Sequence, residues 1–309
     1  MEKIKIICIV GSTASGKTRL GVALAKALNG EIISADSMQV YRGMPIANAV
    51  ATADEQQGVP HHLTEFLNAD EAFSVADFVR LAKALCFDIA KRGKTPIIVG
   101  GTGLFIDSLV KNVSFSDVEG KPEIREMLSK KTNDELYEEL IRVDEKSARD
   151  IHKNNRKRVI RALELYYGGT SKTQQNEASM LEESPFEALY IGINYKDRGA
   201  LYDRINRRVD LMVENGLVDE ARSYIGNAGV TSRQAIGHKE LKPYLEGEMP
   251  LDEAIDNLKK ETRHYAKRQL TWFRRNEKIN WLYADEIGFD ALIEQAAELS
   301  EKFLNGKEW

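Results

Sequence analysis

Eight consecutive residues near the N-terminus form a pattern that binds phosphate. The segment reads Gly11-Ser12-Thr13-Ala14-Ser15-Gly16-Lys17-Thr18 and matches Gly-x4-Gly-Lys-[Ser/Thr] in full. Glycines allow successive backbone N–H groups to point at phosphate oxygens, the lysine adds a positive charge, and the last hydroxyl can hold Mg²⁺. An apolar run precedes the segment and a helical pattern follows it, which favours a phosphate loop over an ordinary glycine turn. The sequence therefore predicts a phosphate site in which Lys17 contacts the ligand and Thr18 holds Mg²⁺.

The residues at the end of a later apolar run argue against NTP hydrolysis at this phosphate site. A motor or switch NTPase holds its Mg²⁺ with a second Asp at the end of another core strand. Here the run at residues 95–99 ends in Gly100-Gly101-Thr102, with no acid at that point. This favours transfer of a group from a phosphorylated donor over hydrolysis.

Asp36 is the candidate general base. It follows the apolar run at residues 31–35, and ligands of open α/β sheets bind at the carboxyl ends of the strands. A carboxylate placed there, across from the phosphate loop, could take a proton from the hydroxyl or amine of an acceptor. The alternative is a turn or helix-capping Asp, because Asp36-Ser37 could cap the segment that follows.

The elements that must position these residues are those of a doubly wound α/β core. Buried-strand runs at residues 4–10, 31–35 and 95–99 alternate with helical patterns at 20–28 and 73–92. From about 114 to 185 short charged helices replace the strands, and a strand pattern returns at 188–195. We expect residues 1–113 and 186–309 to form the core, with 114–185 as a helical insertion. Within it, the polar stretch 170–184 predicts a mobile loop, and beyond 195 the pattern is mostly helical.

Composition bounds the class of protein and its partners. The 309 residues include 44 Lys and Arg against 48 Asp and Glu, a net charge of −4, so a nucleic acid could be bound only by local basic patches. Basic residues cluster in three places: 152–161, 198–208, and one face of a helix at 260–274. Cys8 and Cys86 have no zinc-site or disulfide spacing, the five histidines form no ligand set, and no membrane span is predicted. These features favour the cytoplasm.

Together these segments identify a family. The loop 11–18 and the segments 33–44, 59–63, 100–104, 158–164, 204–210 and 266–273 closely resemble those of tRNA dimethylallyltransferases, the IPP transferase family, in family order from residue 10 to 281. The phosphate loop is generic, whereas residues 36–41 together with 266–273 are specific. The resemblance implies an α/β fold, a P-loop NTPase-like parallel sheet core with a mostly helical insertion that contacts the tRNA anticodon arm. It also implies Mg²⁺ as cofactor, and tRNA and dimethylallyl diphosphate as partners.

The resemblance further implies a reaction. A dimethylallyl group moves from its diphosphate to N6 of adenosine 37, beside the anticodon, and pyrophosphate is released. The target base is flipped into a channel that meets the donor from the other side. Residues 11–18 would bind the donor, Asp36 would accept the N6 proton, and Arg208 would neutralise the departing pyrophosphate.

The resemblance also assigns contacts with tRNA. Asp36, as the general base, would contact the adenosine, and Ser37, Met38 and Gln39 would line the adenine pocket. Thr102 and Arg125 would contact the tRNA near the reacting centre. The residues implied to contact the anticodon arm are Lys157, Arg158, Arg161, Arg233 and His238, and those implied to contact the tRNA backbone are Lys267, Arg268 and Arg274.

Some positions depart from the family pattern. Ile46-Ala47-Asn48-Ala49-Val50-Ala51 stands where the family typically has Ile-Gly-Thr-Ala-Lys-Pro, while Phe105 and His238 each replace a usual Tyr. The segment after Met44 is therefore where we expect altered substrate handling or a different local backbone.

Three other functions are weighed against tRNA prenylation. A P-loop small-molecule kinase would explain residues 11–18 and Asp36, but not the three basic clusters or the segment 266–273. An adenylate isopentenyltransferase acting on free AMP, ADP or ATP would need no surface for tRNA. An RNA-binding module that only senses a nucleotide would need no general base. The oligomeric state is expected to be monomeric.

Overall fold

The protein folds as two compact units. The structure, a computed structural model, describes residues 2–113, 115, 122–181, 183–224, 229 and 235–307. One unit comprises Met1–Val110 and Pro185–Trp309, and the other comprises Lys111–Ser184. The chain thus leaves the first unit after residue 110 and re-enters it at 185, close to the positions where the strand pattern breaks off and returns.

The first unit is built on six parallel strands. These are β1 (Ile4–Gly11), β2 (Gly30–Ser34), β3 (His61–His62), β4 (Thr95–Gly100), β5 (Phe186–Asn194) and β6 (Ile279–Tyr283). Their order across the sheet is β3-β2-β4-β1-β5-β6, and every pairing is parallel. The predicted α/β class with a parallel core is therefore confirmed.

Fifteen helices occur among the described residues. In chain order they are α1 (Lys17–Ala27), α2 (Ala53–Gln56), α3 (Val75–Lys91), α4 (Gly103–Val110), α5 (Pro122–Ser129), α6 (Asn133–Val143), α7 (Glu145–Asp150), α8 (Arg156–Tyr167), α9 (Lys172–Leu181), α10 (Arg198–Glu214), α11 (Leu217–Tyr224), α12 (His238–Leu245), α13 (Leu251–Phe273), α14 (Ala284–Ile287) and α15 (Phe289–Leu304). None of the helices in this part of the chain has the length and hydropathy needed to span a bilayer.

The central strand β1 is apolar because both of its faces are covered. Residues 6–10 of β1 are fully buried, as expected for a strand inside a parallel sheet. Ile7 and Ile9 pack in one cluster with Leu20 and Leu24 of α1, and Phe303 of α15 belongs to the same cluster. Burial of these side chains fixes β1 at the centre of the sheet, so the loop that follows it leaves from a rigid edge.

The second unit is a small helical bundle with its own core. Leu128, Leu136, Leu140, Val159 and Leu163 come from α5, α6 and α8 and are completely buried in one cluster. Thr132 caps α6 in a capping box with Glu135, which satisfies the amides at the start of the helix.

The structure differs from the sequence predictions in two details, although the chain after residue 195 is mostly helical as predicted. Residues 172–181 of the predicted mobile loop form α9, which is held by Asp144: Thr173 donates its hydroxyl and its amide to that carboxylate over 2.5 and 3.1 Å. The chain after residue 195 also contains the edge strand β6, paired with β5. Both differences arise because partners far along the chain stabilise segments whose local composition is ambiguous.

Candidate active site

The loop between β1 and α1 can close only with glycines at its two ends. Gly11 and Gly16 have φ of +150° and +103°, values that side-chain-bearing residues rarely adopt. Space is equally restrictive, because a Cβ at Gly11 would lie 2.6 Å from the Ile193 oxygen, and one at Gly16 would lie 2.4 Å from Phe289 Cε2. The fold therefore requires the two glycines of the motif.

Polar groups of this loop are arranged for an anionic ligand. Among the described residues, the buried hydroxyls of Ser12 and Ser15 have no hydrogen-bond partner. Buried polar atoms are normally satisfied, so these two hydroxyls fit a ligand that brings its own oxygens. Lys17 begins α1 next to them and donates from Nζ to the Ser12 carbonyl over 2.5 Å. The N-terminus of α1 adds a favourable dipole for an anion.

The pKa of Lys17 lies close to neutral pH. Burial, and after it the positive charge of Arg208, lowers the pKa of Lys17 to about 7, while the charge of Asp36 opposes the shift. A bound phosphate would stabilise the charged form of Lys17, since the opposite charge favours the protonated ammonium.

Asp36 stands at the carboxyl edge of the sheet, two residues beyond β2. Its Oδ1 accepts the Met38 amide over 2.9 Å, so the turn interpretation of this residue also holds. The next residue, Ser37, donates its amide to the hydroxyl of Thr102 over 3.3 Å. The backbone just before Asp36 is tightly packed against the end of β4, because a Cβ at Gly100 would lie 2.2 Å from the Ala35 oxygen. The carboxylate is thus fixed on one side and partly exposed to solvent.

Two arginines of α10 approach the phosphate loop and Asp36. Arg204 donates from Nε to the carbonyl of Ala14 in the phosphate loop over 3.0 Å. One turn later, Arg208 is partly buried, and burial lowers the pKa of its guanidinium against the opposing charge of Asp36. The structure therefore brings together Lys17, Asp36 and Arg208 around the loop.

Gln39 and Asn48 organise the unusual segment at residues 46–51. Gln39 accepts the Ser34 hydroxyl over 2.7 Å and donates to the carbonyls of Asn48 and Ala49 over 3.1 and 3.2 Å. Asn48 in turn donates to the Met38 carbonyl over 2.7 Å. These bonds engage both ends of the Gln39 amide, so in this structure Gln39 holds the backbone of the segment beside Met38.

The residues at the loop fit Mg²⁺ held jointly by protein and substrate. Within the described residues, no group of three or more His, Cys, Asp or Glu side chains could hold a metal by itself. Mg²⁺ characteristically binds through one or two protein oxygens and the phosphates of its substrate, keeping several waters. Thr18, in the first turn of α1 and partly exposed, offers one such oxygen.

Comparison with known proteins decides the family. The sequence model of the IPP transferase family matches residues 39–276. The chain is 46% identical over 313 residues to the tRNA dimethylallyltransferase of Caldanaerobacter subterraneus subsp. tengcongensis, covering 98% of both chains. The chain belongs to the IPP transferase family.

Solved structures of similar proteins agree with this assignment. A tRNA isopentenylpyrophosphate transferase from Bacillus halodurans has 44% identity and a TM-score of 0.73, with 98% of this chain and 99% of that chain covered. A eukaryotic dimethylallyltransferase acting on tRNA has 29% identity and a TM-score of 0.84, with 98% and 80% covered. The family predicted from the sequence motifs is therefore confirmed.

In the helical unit of this IPP transferase, the predicted tRNA-contacting residues form an exposed basic face. Arg125 of α5 pairs with Glu164 of α8 over 2.6 Å, and Arg161 approaches the same carboxylate at 3.4 Å. Glu164 is 1% exposed, and its hydrogen bond raises the pKa of Arg125. Lys157 and Arg158 are exposed on the first turn of α8. One buried carboxylate thus orients two arginines whose outer surfaces stay accessible.

The remaining predicted contacts divide by exposure. Lys267, Arg268 and Arg274, on and just after α13, are exposed. Arg233 lies outside the described residues. His238 is 3% exposed and bonds through Nε2 to Glu220 over 2.9 Å. Glu220 also accepts the amides of residues 46 and 47 over 2.8 and 2.9 Å, so His238 supports that segment from within the protein instead of presenting its side chain to a surface.

Two residues at the site carry no sequence motif that would have identified them. Phe289 of α15 lies against Gly16, although the C-terminal stretch gave no functional signal. Gln269 of α13 accepts the Thr13 amide over 2.8 Å, 256 positions away in the chain. Gln269 does lie within the family-specific segment 266–273, and this was the only indication available.

Proposed function

We propose that this IPP transferase transfers a dimethylallyl group from dimethylallyl diphosphate to N6 of adenosine 37 in tRNA. The observation that carries the proposal is the meeting of Asp36 with a complete phosphate loop and Arg208, on a chain of this family. A base, a donor site and a cation for the leaving group are the parts that such a transfer requires. Relatives named tRNA dimethylallyltransferase match nearly the whole chain.

The proposed step is a substitution at the allylic carbon. The N6 nitrogen forms a bond to C1 of the dimethylallyl group, and the bond from C1 to the diphosphate oxygen breaks. The diphosphate leaves with that electron pair as pyrophosphate. Asp36 takes the proton that N6 loses, so that the product amine is neutral.

Charge that develops on the leaving group is met by two cations. Lys17 projects from the first residue of α1 and Arg208 from α10, so that they approach the donor from different elements. Cations aimed at a site where negative charge grows stabilise the transition state more than the ground state. Mg²⁺, which we propose is held by Thr18 and the diphosphate oxygens, would add Lewis-acid stabilisation of the same charge.

The helical unit is proposed to grip the anticodon arm. Lys157, Arg158 and Arg161 are exposed on α8, and phosphate contacts by such side chains fix position on a nucleic acid. Arg125, exposed on α5, is proposed to contact the tRNA near the reacting centre. The exposed cations of α13 are proposed to contact the tRNA backbone. We propose that the enzyme acts as a monomer in the cytoplasm.

One assay separates this function from its competitors. The protein and Mg²⁺ are incubated with dimethylallyl diphosphate and unmodified tRNA, and the digested tRNA is examined by mass for prenylated adenosine. Parallel reactions replace the tRNA with AMP and the donor with ATP. Product in tRNA alone supports the proposal, product on AMP favours free-nucleotide prenyl transfer, and ATP consumption with a small acceptor favours a kinase. The matched control is a tRNA that carries guanosine in place of adenosine 37, and it should give no product.

A further inference from the structure

One buried side-chain amide joins the phosphate loop to the loop that supports the backbone on either side of Asp36. Gln269 of α13 is 6% exposed and accepts the Thr13 amide of the phosphate loop through Oε1 over 2.8 Å. Its Nε2 donates to the carbonyl of Gly101 over 3.1 Å. Thr13 follows β1 and Gly101 follows β4, which are neighbouring strands of the sheet. A single planar group therefore spans the gap between two loops at the carboxyl edge.

The fit of α13 against the second loop is tight at more than one point. A Cβ at Gly101 would lie 2.0 Å from Gln269 Nε2, and one at Gly103 would lie 2.2 Å from Trp272 Cδ1. Trp272 also donates from its indole nitrogen to Asp107 of α4 over 2.9 Å. Gln269 and Trp272 are three positions apart, which places them on one helix face. That face holds residues 101–103 in place.

The same loop determines where Asp36 stands. The Thr102 amide donates to the Ala35 carbonyl over 3.2 Å, and the Thr102 hydroxyl accepts from Ser37. These two bonds flank Asp36 on both sides along the chain. Tyr265, one turn before Gln269, lies beside Thr102 and within the field of the Asp36 charge. A shift of Gly101 would therefore displace the backbone on either side of Asp36.

We propose that Gln269 is a positioning residue that sets the distance between the donor-binding loop and the loop supporting Asp36. The inference deepens the proposed function and rests on it. Transfer needs the diphosphate, the allylic carbon and the carboxylate in one geometry, and a misplacement of about 1 Å can cost roughly 100-fold in rate. The effect of Gln269 would be exerted through the groups that it hydrogen-bonds, which are Thr13, Gly101 and Tyr265.

Two substitutions separate the two hydrogen bonds. Gln269→Leu keeps the bulk and removes both, together with the hydrogen bond between Gln269 and Tyr265, and should lower kcat by about 30-fold and raise the donor KM by about fivefold. Gln269→Glu keeps an acceptor for Thr13 and replaces the donor facing Gly101 with an oxygen. It should lower kcat by a similar factor while leaving the donor KM within about twofold. The affinity for tRNA, measured without donor, should be unchanged in both variants.

Thr262→Val is the matched control. Thr262 is buried on the same helix, and its hydroxyl donates within α13 to the Leu258 carbonyl over 2.7 Å. This variant should keep kcat and both KM values at temperatures well below its Tm. If it lowered kcat as much as Gln269→Leu, general weakening of α13 would explain the effect and the proposal would be overturned.

A double-mutant cycle tests whether Gln269 and Gly101 act as one unit. Gly101→Ala alone meets Gln269 Nε2 and should impair kcat, whereas in a Gln269→Ala background the added methyl group has room. The double variant should therefore be more active than the product of the two single effects predicts. Independent, multiplicative effects would overturn the proposal, as would a kcat for Gln269→Leu within about threefold of the wild-type enzyme.

Failure of the proposed function would look different. Wild-type enzyme that prenylates AMP instead of tRNA would refute the tRNA substrate, and the kcat ratio of Gln269→Leu to wild type would then test positioning on AMP. Pyrophosphate affinity, measured by calorimetry, tests the Thr13 bond without any acceptor. We expect it to fall about fivefold in Gln269→Leu and to change less than twofold in Gln269→Glu; equal losses in both variants would contradict the division of roles.

Discussion

Lys17 and Arg208 are two cations held close to the same carboxylate, and each is disfavoured in its charged form. Burial lowers the pKa of both, and the charge of Arg208 lowers that of Lys17 further, to about 7. The free site therefore carries unfavourable positive charge that an anionic donor would relieve. We therefore expect the affinity of the site for diphosphate to depend on pH.

The first prediction concerns pyrophosphate binding between pH 7 and 9. Above its pKa of about 7, Lys17 is increasingly neutral in the free enzyme, and the bound anion raises that pKa again. Binding above pH 7 must therefore take up a proton, and affinity should fall by up to about tenfold per pH unit. Below pH 7 Lys17 is already charged, so its contribution is constant. Calorimetry in buffers of different ionisation enthalpy measures the uptake.

Lys17→Met provides the reference, since pyrophosphate itself titrates in this range. The ratio of wild-type to Lys17→Met affinity removes the contribution of the ligand. That ratio should decline from pH 7 to pH 9, and a flat ratio would contradict the lowered pKa of Lys17.

The second prediction concerns Asp36. Asp36→Asn keeps an acceptor for the Met38 amide, whose bond to Oδ1 is 2.9 Å long, but removes the base. We expect kcat to fall by about 10²- to 10⁴-fold, the usual contribution of a general base. The affinity for tRNA and the Tm should stay close to the wild-type values. Single-turnover rates with saturating donor measure the effect, and near-normal turnover would exclude Asp36 as the base.

The third prediction concerns Arg208. Arg208→Lys keeps a charge but loses the planar donor array, and Arg208→Ala loses both. Arg208→Ala should lower kcat by about 10²- to 10³-fold, the cost of removing one stabilising group from a leaving anion. Arg198→Ala, at the exposed start of α10, is the control and should have little effect. Comparable losses in the two alanine variants would indicate a nonspecific effect of charge.

The fourth prediction concerns stability at a point away from the site. Glu31 of β2 is 3% exposed and pairs with Arg92, Lys94 and His62 over 2.5, 2.7 and 2.8 Å. The bond from Arg92, against the cost of burial and with help from Lys94, holds the pKa of Glu31 far below its usual range. Glu31→Gln should lower the free energy of unfolding at pH 7 by about 3 kcal/mol, because it breaks a buried ionic network. Urea denaturation measures the difference.

The sign of its pH dependence follows from that lowered pKa. The stabilisation by Glu31 is complete above the pKa of the carboxyl in the unfolded chain, about 4.3, and is lost as pH falls toward the folded pKa. The gap between wild type and Glu31→Gln should narrow below pH 4. Glu126 pairs with Lys130 at the surface, where its side chain is 70% exposed. Glu126→Gln should therefore lower the free energy of unfolding by less than about 1 kcal/mol. If Glu126→Gln lowered the free energy of unfolding as much as Glu31→Gln, burial would not explain the effect at Glu31.

The fifth prediction concerns salt. If Lys267 and Arg268 contact tRNA phosphates, replacing both with Ala should weaken binding and reduce the slope of log K against log salt by about one per residue. Lys302→Ala on α15, whose side chain pairs with Glu298 over 2.8 Å, should leave the slope unchanged. Filter binding across a salt series measures both variants. An unchanged slope in the double variant would show that Lys267 and Arg268 do not contact tRNA phosphates.

Much of the site could be predicted because its signals are local. The phosphate loop, the strand before it and the helix after it are contiguous, and Asp36 directly follows an apolar run. Gln269 could not be assigned a role because its partners Thr13 and Gly101 are 256 and 168 positions away, and a Gln on the inner face of an amphipathic helix looks like any core-edge residue. The short edge strand β6 and the helix α9 were missed for the same physical reason, since distant partners decide their conformation.

The place of β5 in the sheet has a consequence for how the chain acquires its structure during synthesis. Its eight aligned pairs with the central strand β1 join residues that lie on either side of the whole helical unit. Non-local pairings of this kind form late, whereas a helical bundle with local contacts forms quickly. The bundle at 111–184 can therefore complete its core on the ribosome while β1 still lacks one neighbour. Stalled nascent chains of increasing length should show protease resistance in the bundle before residues 4–11 become protected.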